Sequence, residues 1–110
     1  MISFILARPF KREFKRLLKK HRSLTDDYEA LKAELRSNPF QGADLGNGLR
    51  KVRMAIRSKG KGKSHGARVV TYVEAITAEY EGTLTLLYIY DKSERSTITD
   101  NELTALLKEL

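Results

Sequence analysis

Three segments of the chain carry basic side chains at spacings that suit a phosphate. In Arg50-Lys51-Val52-Arg53, alternation along a strand sets Lys51 and Arg53 on one face, about 7 Å apart. Two cations so placed can hold one phosphodiester from the same side. The loop Lys59-Gly60-Lys61-Gly62-Lys63-Ser64-His65-Gly66 combines lysines with glycines, which let backbone N–H groups approach an anion closely. Arg68 opens the strand that follows. If the two strands pair as a hairpin, Arg68 lies within reach of Lys51 and Arg53, and its planar fork can hold a phosphate bidentately. Further on, Tyr88, Tyr90 and Lys92 alternate onto one face, where a tyrosine can stack on a base and a lysine can neutralise a phosphate.

Each feature also has a plainer reading. A charged strand face deters edge pairing, and a Gly-Lys loop keeps a hairpin soluble. The tyrosines fit core and rim packing, the preferred role for Tyr88. Asp91 suits either an orienting partner for a basic group or a strand-end cap. His65 is of a residue type that serves as acid or base but reads as a bystander, and His21, in a helix connection, reads as structural. The loop is not a nucleotide-triphosphate cradle. It lacks the glycine five residues before Gly62-Lys63-Ser64, and a strand rather than a helix follows. With no cysteine and only two widely separated histidines, disulfide scaffolds, thiol nucleophiles and Cys-ligated zinc are excluded, and no metal is expected.

The charge distribution points the same way. The net charge over 110 residues is +7, with eight Lys/Arg and no acid in residues 50–68. Residues 1–23 carry eight more against Glu13 alone. Such blocks favour polyanions. No apolar run approaches the ~20 residues of a membrane helix. The opening Met1–Ala7 reads as a strand rather than a signal peptide, so a single cytoplasmic domain over residues 1–110 is expected.

The elements that must position these groups follow from periodicity. Phe10, Phe14, Leu17 and Leu18 recur at helical spacing among lysines and arginines, and Tyr28, Leu31 and Leu35 mark a second helix after Thr25-Asp26-Asp27. Asn38-Pro39 stops it. Gln41–Gly48 reads as a glycine-rich turn segment. Three strands come next: Val52, Met54 and Ile56 alternating with Lys51, Arg53 and Arg57, then Arg68–Ala75, then Leu84–Tyr90. Thr99 and Glu102 form a capping box, with Ile98 and Leu103 as its staple, ahead of the stripe Leu103, Leu106, Leu107 and Leu110. The order predicts an α+β domain: an N-terminal strand, a helical hairpin, a mainly antiparallel sheet of three further strands, and a C-terminal helix, with the helices on one sheet face.

The stretches Leu45-Gly46-Asn47-Gly48-Leu49-Arg50-Lys51-Val52-Arg53, Gly60-Lys61-Gly62-Lys63-Ser64-His65-Gly66-Ala67-Arg68 and Tyr88-Ile89-Tyr90-Asp91-Lys92-Ser93-Glu94-Arg95 resemble the RelE/HigB branch of the RelE/ParE toxins of type II toxin–antitoxin systems. The resemblance spans nearly the whole chain. It implies a cofactor-free, metal-independent endoribonuclease that cuts mRNA on the ribosome and inhibits translation. The implied partners are a cognate antitoxin, the ribosome and mRNA, with no membrane. By motif position Lys51 is base or electrostatic stabiliser, Arg53 and Arg68 are phosphate clamps, and Lys92 completes the catalytic set. Arg50, Arg57, Lys59, Lys61, Lys63, Tyr90 and Arg95 are the expected RNA contacts. The arginine that follows the last strand in RelE falls at Ser93 and the C-terminal tyrosine at Thr99, which leaves the acid unassigned, with Lys92, Arg95 or Tyr90 as substitutes. Two rival functions share the fold and composition: a ParE-like poison of DNA gyrase, and a non-toxic nucleic-acid-binding module. The acid-free block 50–68 favours RNA.

Overall fold

The N-terminal apolar run pairs in parallel with the last strand, at one edge of a sheet that the rest of the chain completes. The computed structural model describes all 110 residues. It contains β1 (Ile2–Leu6), α1 (Arg8–Leu18), α2 (Leu24–Ser37), β2 (Ala43–Gly46), β3 (Leu49–Met54), β4 (Ala67–Tyr72), β5 (Gly82–Asp91) and α3 (Asp100–Leu107). The sheet order is β1-β5-β4-β3-β2. Only β1–β5 is parallel; the other pairs are antiparallel. The α+β class, the helical hairpin and the terminal elements are as predicted.

The sheet gains a strand where the sequence suggested only turns. Asn47 and Gly48 both adopt positive φ, 55° and 79°, and they join β2 to β3 with Gly46 opposite Leu49. An Asn-Gly pair in this conformation is the connection whose twist matches a two-stranded ribbon. Gln41, Gly42 and Ala43 thereby come to lie beside the basic strand.

Both faces of the sheet are covered, contrary to the expectation of helices on one side. Phe10 and Leu17 from α1 and Leu24, Leu31 and Leu35 from α2 pack with Val52, Met54, Val69, Leu84, Leu86 and Ile89. Phe10, Phe14 and Tyr28 close the helical hairpin, with ring centroids 5.4–5.9 Å apart. On the opposite face, Ile98, Leu103 and Leu106 of the α3 region pack with Leu49, Val70, Leu87 and Tyr90. The capping box forms as read: Thr99 Oγ1 accepts from the Glu102 N–H, and the Thr99 N–H donates to Glu102. At the start of α2 the sequence misleads. Ser23 is the N-cap and makes no side-chain cap bond. Asp27 is buried and accepts instead from the backbone and guanidinium of Arg57. No helix is long and apolar enough to cross a membrane.

Candidate active site

β3 alternates as its sequence requires. Val52 and Met54 are buried against α1 and α2, while Lys51 and Arg53 project from the other face, which α3 leaves open at this end. The register places Lys51 opposite Val70, Arg53 opposite Arg68, and Arg68 opposite Tyr90. A cavity of about 550 Å³ opens here, lined by Gln41, Gly42, Ala43, Lys51, Val52, Arg53, Lys63, Arg68 and Lys92. Its lining thus brings the four catalytic candidates together with Lys63 and includes no carboxylate.

The five cations differ in how they are held. The side chains of Lys51 and Arg53 make no hydrogen bond or ion pair within the chain, so their charges are free for a ligand. Lys63 Nζ reaches Glu34 Oε1 at 2.7 Å, and Lys92 Nζ donates to the Ser96 carbonyl at 2.8 Å. Arg68 departs from expectation. Rather than standing on an exposed face it is 6% exposed, because β4 lies inside the sheet and the loop between β3 and β4 folds over this second residue of the strand. Its guanidinium donates to the carbonyls of Lys63, Ala67 and Ser64 at 3.0, 3.1 and 3.2 Å. Those carbonyls fix its plane but supply no counter-charge. A buried cation without a carboxylate is costly unless an anion joins it, and this one lines the cavity.

Several expected RNA contacts are placed elsewhere. Arg57 does not continue the alternation of β3, since the strand ends at Met54 and Arg57 begins a 3₁₀ turn; its Nε pairs with Asp27 at 3.0 Å beneath α2. Arg50 has the opposite parity to Lys51 and donates to the Gly42 carbonyl at 3.1 Å. Tyr90 is 2% exposed and presents no face to a base. Arg95 lies over its ring, 5.5 Å from the centroid, and pairs with Glu102 at 2.5 Å. Tyr88, preferred as the packing residue, is the more accessible of the two tyrosines. The Tyr90 hydroxyl has no hydrogen-bond partner, and burial pushes its pKa up, with Arg68 and Arg95 opposing. Lys61 stays exposed, on a separate recess with His65 and Lys92.

Lys59 is the largest revision. It is not a free loop lysine. Its ammonium bonds to Asp91 Oδ1 at 2.5 Å, the His65 carbonyl at 3.0 Å and Ser93 Oγ at 3.3 Å. Asp91, 1% exposed, also accepts from the Ser93 N–H at 2.9 Å and the Ser93 hydroxyl at 2.8 Å, and its other oxygen lies 2.8 Å from His21 Nε2. Burial alone would raise the Asp91 pKa; Lys59, Ser93 and His21 outweigh it and hold the group below the usual carboxylate range. Ser93 is thus committed to Asp91 and Thr99 to capping α3, so neither position supplies an acid at the cavity. Sequence reasoning missed the wall formed by Gln41, Gly42 and Ala43, for which the only signal was the Asn47-Gly48 pair, and it left Asp91 between two readings.

The family described as RelE toxin of RelE / RelB toxin-antitoxin system matches residues 7–110, from the residue before α1 to the last residue. With its basic cavity on a five-stranded sheet and that match over nearly its whole length, this chain belongs to the RelE family of toxins.

Proposed function

We propose that this RelE-family toxin inhibits translation by cutting mRNA on the ribosome, with Lys51, Arg53, Arg68 and Lys92 acting on one phosphodiester. The observation that carries the reading is Arg68: a buried guanidinium without a counter-ion, opening with four other cations onto one cavity. A phosphate supplies the missing charge, and a transition state that adds negative charge to that phosphate binds better still.

The reaction that fits uses the RNA's own 2′-hydroxyl. Its proton leaves, its oxygen bonds to phosphorus, the bond from phosphorus to the 5′-oxygen breaks, and that oxygen takes up a proton. The products are a 2′,3′-cyclic phosphate and a 5′-hydroxyl. Arg53 and Arg68 hold the non-bridging oxygens. Lys51 draws the 2′ proton or steadies the growing charge, and Lys92, held only by the Ser96 carbonyl, is the proton donor for the leaving oxygen. The cognate antitoxin that a toxin–antitoxin family implies must neutralise this face, and an acidic segment across the cavity would do so.

Mapping of mRNA 5′ ends after induction tests the reading. Discrete cuts in translated messages, absent with Arg53→Ala, are expected. DNA breaks and an SOS response without mRNA cuts would point to the gyrase-poison alternative and refute it.

A further inference from the structure

We propose that Asp91 is a positioning residue, which locks the basic loop between β3 and β4 over the cavity through Lys59. The proposal rests on the nuclease reading for its catalytic consequence, though not for the lock itself. Residues 55–66 make two short 3₁₀ turns, Arg57–Lys59 and Lys63–His65, with glycines at 60 and 62 in left-handed φ of 70° and 71°. Such a segment has little regular hydrogen bonding of its own. Arg57 and Ser58 tie its first turn to Asp27 and Ser23, and Lys63 pairs with Glu34; its side-chain tie to the end of β5 runs through Lys59. Lys59 plugs into Asp91 and also holds the His65 carbonyl, so one ammonium clips the loop's first turn to its second and both to the end of β5. The Lys92 N–H bonds to the Gly66 carbonyl at 3.0 Å and closes the same junction. His21, on the other carboxylate oxygen, ties the junction to the connection between α1 and α2.

The lock bears on the site because the loop holds the cavity's key cation. Two of the three carbonyls that orient the Arg68 guanidinium, those of Lys63 and Ser64, belong to this loop. Lys63 itself lines the cavity, and Lys92 follows Asp91 directly. Releasing Lys59 therefore loosens the loop carbonyls that orient Arg68, leaving the Ala67 carbonyl on the guanidinium, Glu34 on Lys63 and the Lys92 N–H on Gly66 as the remaining ties. Asp91 lines none of the described cavities, so its influence runs through these neighbours.

Asp91→Asn keeps every tryptic site and retains an acceptor for Ser93, while removing the charge that holds Lys59. Three measurements are compared with the wild type, at a temperature where both are folded by circular dichroism. Tryptic cleavage after Lys61 and Lys63 should accelerate at least tenfold relative to cleavage after Lys11 and Lys15 in α1. Single-turnover cleavage on programmed ribosomes should slow by tens-fold, since small misplacements of catalytic groups have such effects. Affinity for a 2′-O-methyl RNA should change by less than about threefold. The variant Lys59→Gln with Asp91→Asn removes the ion pair without leaving a lone buried charge, and it gives the same three results if the single variant does not fold. Unchanged loop proteolysis overturns the lock. A loosened loop with a wild-type cleavage rate overturns the positioning role. An inactive wild-type chain would refute the nuclease reading and the positioning role, while loop proteolysis would still decide the lock.

Discussion

Arg53 and Arg68 face each other across paired strands, yet their removal should have separable effects. Arg53 is exposed and unpartnered, so Arg53→Ala should leave stability within about 0.5 kcal/mol of wild type. Arg68→Ala deletes three hydrogen bonds from a buried guanidinium. Bonds to charged groups contribute roughly 1.5–3 kcal/mol each in favourable cases, but the desolvation of an unpaired cation offsets much of that. Two of the freed carbonyls lie in an exposed loop where water can replace the donor. A net loss of about 1–3 kcal/mol follows, or a drop in Tm of roughly 5–15 °C for a domain of this size. Both variants should cleave on the order of 10²-fold or more slowly, the usual consequence of deleting a preorganised charge partner. Arg68→Lys keeps the charge without the fork and should recover part of the stability but little of the rate. The assay is single-turnover cleavage on programmed ribosomes at 20 °C, beside thermal melts of each variant. Full activity in folded Arg68→Ala would refute the phosphate role. A rate loss that tracks only the unfolded fraction would make Arg68 a structural residue.

The two loop lysines should part company in the same way. Lys59→Ala takes the ammonium from buried Asp91 and leaves it only Ser93 and His21, which should cost about 2–4 kcal/mol in chemical denaturation. Lys61→Ala should be neutral for stability and lower the slope of log affinity against log salt for RNA by about one; the opposite pattern would contradict the placement of Lys59. Acid should destabilise the fold in a defined window. Glu94 is held down to about 2 by Arg16 and Lys20, Glu102 to about 2 by Arg95 and the Thr99 N–H, and Asp91 below its ordinary 3.8. These folded-state values lie below the unfolded ones, so their stabilisation is complete above about pH 4.5 and is lost as pH falls towards 2. Urea midpoints across that range should fall, and fall less in Asp91→Asn. Gly66→Ala should disrupt the loop far more than Gly62→Ala. A Cβ at Gly66 would sit 2.1 Å from the Met54 carbonyl oxygen, whereas at Gly62 it meets open space and only the φ of 71° is unfavourable; comparable melts for the two variants would show that the loop can shift aside.

What the sequence disclosed depended on how far apart the interacting residues lie. The alternation of Lys51 and Arg53 with Val52 and Met54 needs only the two-residue period of a strand, and the structure has the two cations on one face of β3 as that period requires. The capping box at Thr99 and Glu102 is equally local. Arg57 was misplaced because alternation was carried past Met54, where the strand ends and nothing in the residue types announces a 3₁₀ turn. Lys59 was misjudged because its partner is 32 residues away in sequence, and a lysine among glycines looks the same whether its charge is free or satisfied. Tyr90 shares a strand face with Lys92 by alternation, which by itself makes that face look open to RNA. Which sheet face α3 covers is a tertiary fact that the apolar stripe of a helix does not specify.

That covering explains why the site lies where it does. A sheet with helices on both faces has no large open surface, and here α3 packs over Leu49, Val70, Leu87 and Tyr90. The uncovered remainder is the end carrying Lys51, Arg53 and the start of β4. An apolar residue there would be left exposed. A cation remains solvated, and beneath the loop it remains only at the cost of desolvation, as at Arg68. The chain has acids with which it satisfies other cations: Asp27 for Arg57, Glu94 for Arg16 and Lys20, Asp91 for Lys59, Glu102 for Arg95. Within the cavity only Lys63 receives one, from Glu34 at its rim. Carboxylates therefore hold the cations that build the loop and the helix connections, while Lys51, Arg53 and Arg68 are left for an anion the chain does not contain. That division of charge, rather than the total of +7, identifies the face that meets RNA in the proposed reaction.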